Sequence, residues 1–219
     1  MIVVAYAGGM LIARLPKFSC GAKVVLWISC SVQLAVLGYF KYADFFIANF
    51  RDMAESLGWQ PGWTSLHIIL PVGVSFYIFQ AISYLVSVYR GVVVRERSFL
   101  KLGVYLGFFP HLVAGPIIHA KTFLPQLASK RVFDRNVFLE GCRKFAVGFL
   151  YKSVFADNIA VFVDRVFADV ASQSPTVVAG GSLGFYCQIY FDFAGYSLMA
   201  IGVANMFGYF LPDNGSSTI

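Results

Sequence analysis

Charged residues are almost absent from several long stretches of this chain and crowd into the short stretches between them. Residues 22–40 carry one charge, Lys23, and residues 67–89 carry no Asp, Glu, Lys or Arg. Residues 102–118 have none, and the run from 177 to about 210 has only Asp192. A backbone inside hydrocarbon must satisfy its own hydrogen bonds, and helices do this within one segment. The pattern argues for several membrane segments, and the expected fold is an all-α, polytopic transmembrane helical bundle. Of the 219 residues, 58% are hydrophobic and 13% charged, against about 25% charged in a soluble domain. Each span and its loop take about 25–35 residues, so about six hydrophobic segments are expected over residues 1–219 as one transmembrane domain.

The net charge of +6 does not point to nucleic acid. The basic residues sit beside apolar runs, as Arg14, Lys17 and Lys23; as Arg90, Arg95, Arg97 and Lys101; and as Lys121, Lys130, Arg131 and Arg135. Short basic loops of this kind orient membrane segments. Cys20, Cys30, Cys142 and Cys187 form no C-x-x-C pair and no metal-ligand spacing, so they read as small hydrophobes and no metal site is expected. Residues 1–15 are too short to span and lack the basic start of a signal peptide. They read as the tail end of a helix.

Residues 22–40 read as the first full span, closed by Lys41, with a separate aromatic segment at 42–50. Residues 67–89 read as a second span. Two consecutive basic loops, 90–101 and 121–135, flank 102–118. They cannot both be cytoplasmic if that segment crosses. Pro110, Gly115 and Pro116 interrupt it, so it is expected to enter and leave by one face as a re-entrant element. A helix over 137–155 carries Glu140, Arg143, Lys144 and Lys152, with an amphipathic continuation over 157–170. After a turn at 172–175, the run to about 210 is long enough for a tilted span and a bend.

Asp192 is the residue that composition singles out. A carboxylate inside an apolar run usually faces a protein interior or a watery cavity. It either serves function or fixes packing through Tyr196 or a backbone amide. His67 and His119 read as structural. His111, beside Pro110 and the Ala-Gly-Pro break, is the histidine most suited to line a cavity, though no base or nucleophile is placed beside it.

Three segments carry a family resemblance. They are Leu70-Pro-Val-Gly-Val-Ser-Phe-Tyr-Ile-Phe-Gln-Ala-Ile-Ser-Tyr84 with Val88-Tyr-Arg-Gly91; Phe108-Phe-Pro-His-Leu-Val-Ala-Gly-Pro-Ile117 with Phe123-Leu-Pro-Gln-Leu127; and Gln188-Ile-Tyr-Phe-Asp-Phe-Ala-Gly-Tyr-Ser197 with Met199-Ala-Ile-Gly202. Their wording and order resemble the membrane-bound O-acyltransferases, in the branch that contains the alginate O-acetyltransferase membrane subunit. His111 stands where the family usually has Gln, and Ser87 and Leu198 where that branch often has Asp.

The resemblance implies transfer of an acetyl group to hydroxyls of an exported polysaccharide, such as alginate, or of a cell-wall polymer. The donor, unidentified, would arrive from the cytoplasmic side of a bacterial inner membrane, with no bound cofactor and with accessory acetylation proteins as partners. Residues 70–127 and 185–210 would build part of the tunnel wall, with Gln188, Asp192, Tyr196, His111 and Gln80 as lining candidates. The family's essential histidine lies downstream of the match to Asp192. No catalytic residue is therefore expected within these 219, and a fragment incomplete at both ends, from a truncated or frameshifted frame, is expected to be inactive alone. The rival readings are a transport or export scaffold built from broken helices and a non-functional gene product.

Overall fold

The computed structural model describes residues 1–59, 62, 73–111, 115 and 118–212. All regular elements among them are helical, as the charge pattern requires. The chain forms two compact units, Met1–Gly107 with His119–Leu124, and Phe108–Ile118 with Pro125–Ile219.

The first unit contains α1 (Ile2–Arg14), α2 (Cys20–Ser56), α3 (Val74–Tyr89) and α4 (Phe99–Leu106). Helix α1 packs on both α2 and α3. The approach is close because α1 carries Gly8 and Gly9. A Cβ on Gly8 would meet Ser29 Oγ at 2.5 Å, and one on Gly9 would meet the Tyr84 ring at 3.2 Å. Ile78, Ala81, Leu85 and Leu102 fill the interior with Tyr84, Tyr105 and Phe123. Polar groups tie down the basic loop before α4. The Tyr84 hydroxyl accepts from the Glu96 N–H at 3.0 Å, and the Tyr6 hydroxyl donates to the Arg97 carbonyl at 2.8 Å. Ser98 then caps α4 by accepting from the Lys101 N–H.

Helix α2 corrects one expectation. Lys41 does not close it, and the aromatic segment that follows is its continuation to Ser56. Residues 41–56 contain no Gly or Pro to break the ladder. The Lys41 ammonium lies 5.4 Å from the Tyr42 ring centroid, so its charge is accommodated without ending the helix.

The second unit is built on two long antiparallel helical stretches. One runs Arg135–Ala168 without interruption, as α6 (Arg135–Leu150), a wide π-turn (Tyr151–Ala156) and α7 (Asp157–Ala168). The other is α8 (Pro175–Met206), started by Pro175 at its first turn and by Ser174, whose hydroxyl accepts from the Val177 N–H. Four glycines bring the backbones together. A Cβ on Gly148 would lie 2.5 Å from the Gly195 carbonyl oxygen, and one on Gly202 would lie 2.6 Å from that of Gly141. Small residues permit this approach in membrane helices, where packing must supply association. Further along, Val166 packs on Gly181 and Val163 on Gly184.

The basic loop 121–135 is also corrected in part, because α5 (Ala120–Ala128) occupies its first half. Beyond α8, the chain is held by Gln126. Its amide donates to the Phe210 carbonyl and accepts from the Phe210 N–H, both at 2.9 Å.

Two helical stretches among the described residues, α2 and Arg135–Ala168, are long and apolar enough to cross a membrane. Helices α1 and α3 are apolar but shorter, and much of the first half of the expected 67–89 span lies outside the described residues. The expected 102–118 element begins within α4, whose eight residues rise about 12 Å, well short of a hydrocarbon core of about 30 Å. The chain then forms a 3₁₀ turn at Phe109–His111, and most of residues 112–117 lie outside the described set.

Candidate functional site

Three charged side chains of the second unit, Lys152, Asp157 and Asp192, meet at the π-turn. Gly195 lets the Lys152 backbone approach α8, since a Cβ there would lie 2.9 Å from the Lys152 nitrogen. Asp192 sits one turn before Gly195, and its Oδ1 receives the Lys152 ammonium at 2.8 Å. The same ammonium bonds Asp157 Oδ1 at 3.0 Å, so one cation bridges two carboxylates. Lys152 lies near the middle of Arg135–Ala168, and Asp192 near the middle of Pro175–Met206. Both side chains stand partly open at the surface of this unit, at 38% and 53% exposure.

The π-turn is furnished with its own donors. Ser153 Oγ donates to the Phe149 carbonyl at 2.7 Å, and Asn158 Nδ2 donates to the carbonyls of Val154 and Ser153 at 2.7 and 3.2 Å. Side-chain donors of this kind satisfy carbonyls that a widened turn displaces from the regular ladder. Aromatic rings border the ion cluster. Phe155 stacks on Phe191 at 4.9 Å, and Tyr151 meets Phe191 edge-on at 5.6 Å.

Gln188, Asp192 and Tyr196 fall four residues apart and so share one face of α8. The Gln188 Oε1 is buried without a hydrogen-bond partner. Asp192 pairs with Lys152, neither through Tyr196 nor through a backbone amide. Gln80 belongs to the first unit, where it is buried and its Nε2 donates to the Tyr105 carbonyl at 3.1 Å. It thus ties α3 to α4. His111 ends the 3₁₀ turn, and its side chain lies outside the described residues. His67 lies outside them as well.

Lys152 is the group that reading from sequence missed. It was visible as a basic residue on the expected 137–155 helix, with no partner assigned to it. Two opposite charges, each mid-way along a long apolar helix, were the available signal, because an intramembrane charge needs a partner.

On another side of α8 lies an open cleft of about 540 Å³, walled by Tyr186, Tyr190, Phe193 and Leu198 with Lys144 at its edge. Leu198, one of the departures from the family pattern, therefore contributes an apolar wall. Among the described residues no three His, Cys, Asp or Glu side chains are grouped to hold a metal ion.

The chain is 40% identical over 191 residues to a probable alginate O-acetylase of Pseudomonas putida, covering 86% of this chain and 38% of that protein. It is 40% identical over 185 residues to a probable alginate O-acetylase of Pseudomonas aeruginosa, covering 84% and 35%. A peptidoglycan O-acetyltransferase of Helicobacter pylori is 35% identical over 221 residues, covering 88% and 41%. The chain thus spans well under half the length of these curated relatives. No protein-family model matches it.

Proposed function

Over the stretch it spans, the chain belongs to the membrane-bound O-acyltransferase family, and from that premise we propose that it forms part of the wall of an acetyl-transfer tunnel. The acceptor is a hydroxyl of an exported polysaccharide such as alginate, or of a cell-wall polymer. The tunnel lies in a polytopic helical bundle of the bacterial inner membrane, with residues 102–118 as a re-entrant element and accessory acetylation proteins as partners. The acyl donor is not assigned, and the general base comes from outside these residues.

The observation that carries this reading is the Lys152–Asp192 pair, set mid-way along two long helices and partly open. A charge at bilayer depth facing hydrocarbon costs about 2.5–3.5 kcal/mol on insertion scales. An open ion pair there belongs on a water-accessible path. Gln188, one turn away on the same helix face, adds a buried acceptor with no donor among the described residues. Tyr196 completes the polar face. Gln80, in the first unit, fixes α3 to α4; it and His111 are proposed as tunnel-lining residues on the family resemblance.

The test joins this chain to the remaining length of an alginate O-acetylase relative, in cells that lack their own enzyme. Acetyl content of the secreted polymer is then measured. Acetylation is expected from the joined protein, and a fall of at least tenfold from its Lys152→Met variant. A joined protein that inserts and folds but leaves the polymer unacetylated would sink the proposal.

A further inference from the structure

The second unit contains a cleft, of about 550 Å³, where the start of α6 and the end of α8 meet the loop that follows α5. Two cations enter it. The Lys130 ammonium has no partner among the described residues. The Arg131 guanidinium donates to the Gln126 carbonyl at 2.5 Å and lies 4.9 Å from the Tyr209 ring centroid, so its plane is fixed. The carboxylate of Asp134 also borders the cleft, but it is engaged at the helix start, accepting from the Asn136 and Val137 N–H groups at 2.8 and 3.4 Å. The local balance is positive.

A second observation comes from α8. Asn205 lines the cleft and is only 7% exposed, yet its side-chain amide has no hydrogen-bond partner among the described residues. Because it lines the cleft, this amide is open to pairing with a ligand's oxygen. Between the cations and α6 stand Val132 and Phe133, two apolar side chains left 86% and 72% exposed. Phe133 touches only one described ring, that of Phe138 at 5.6 Å.

Cations, an unpaired amide and bare apolar side chains, gathered at the ends of long helices, match the layered chemistry of a bilayer interface. Long basic side chains take the phosphate there while apolar groups enter the acyl region. We propose that this cleft binds the headgroup of an anionic phospholipid. Its phosphate lies against Lys130 and Arg131, the Asn205 amide bonds a headgroup or ester oxygen, and Val132 and Phe133 sit among the acyl chains. The site rests on the membrane placement proposed above and is independent of acetyl transfer.

The test uses the whole chain. Extraction of membranes with alkaline carbonate first establishes that it is integral, which separates failure of the membrane reading from failure of this one. Native mass spectrometry in detergent then follows retention of phosphatidylglycerol against phosphatidylcholine. Phosphatidylglycerol is expected to bind at least fivefold more tightly. Lys130→Gln, an exposed change that disturbs no packing, should lower that affinity about fivefold, as loss of one interfacial cation implies. Asn205→Leu should lower it with no such loss for Arg14→Gln in the other unit. Equal retention of the two lipids, or an unchanged Lys130→Gln, overturns the proposal. Displacement of phosphatidylglycerol by millimolar inorganic phosphate or coenzyme A would also overturn it, assigning the cleft to a soluble phosphate compound.

Discussion

Lys152 Nζ lies 2.8 Å from Asp192 Oδ1 and 3.0 Å from Asp157 Oδ1, so the cluster has one cation and two carboxylates. This makes its members unequal. Removing either carboxylate leaves Lys152 with a partner. Removing the lysine leaves two like charges without one.

Asp192→Asn and Asp157→Asn are each expected to lower stability by no more than about 1 kcal/mol, the scale of an open ion pair. Lys152→Met should cost about 2 kcal/mol or more, towards the scale of an uncompensated intramembrane charge. Thermal unfolding of the three variants in the same detergent checks the order. A Lys152→Met variant as stable as the two others would mean that the carboxylates have an independent source of compensation.

The glycine seam predicts opposite outcomes for one substitution at two places on α8. A Cβ on Gly195 would stand 2.7 Å from the Gly148 carbonyl oxygen and 2.9 Å from the Lys152 nitrogen, whereas nothing lies within 4 Å of one on Gly180. Gly195→Ala should therefore destabilise by a net of about 1–3 kcal/mol through overpacking. Gly180→Ala should stabilise by up to about 1 kcal/mol, because Ala is the better helix former. Unfolding curves of both variants decide.

Gln126 holds the segment after α8 through both polar groups of its amide, each 2.9 Å from the Phe210 backbone. Gln126→Leu removes two hydrogen bonds and should cost about 1–3 kcal/mol. Hydrogen exchange at the Phe210 amide should speed up at least tenfold, while exchange in the interior of α8 stays slow. Unchanged exchange at Phe210 would show that other contacts hold the segment.

The native cysteines test the depth of α2. Cys20 is exposed in its first turn, and Cys30 lies ten residues further in, about 15 Å along the axis. In single-cysteine variants, a membrane-impermeant maleimide should label Cys20 and leave Cys30 unlabelled until detergent is added. Rapid labelling of both in intact vesicles would remove α2 from the membrane.

The sequence by itself determined the helical class, because long uncharged stretches leave the backbone only its own helix to bond with. Its three motifs carry the resemblance to the membrane-bound O-acyltransferases, and a lone carboxylate in an apolar run makes Asp192 conspicuous. Boundaries were less legible. Lys41 read as an end, yet a lysine is a good helix former and stops nothing unless a breaker accompanies it.

Only the tertiary structure decided the partners. Gln80 and Gln188 look alike in sequence, each an amide in an apolar helix. Folding gives the first a carbonyl at 3.1 Å and leaves the Oε1 of the second buried and unpaired. Lys152 acquires its role the same way, since α8 must run back along α6 before Asp192 can reach it. Periodicity reports which residues share one helix face, because that depends on neighbours three and four places away. Which faces then meet depends on where glycines let two backbones touch, and that is a property of both helices together.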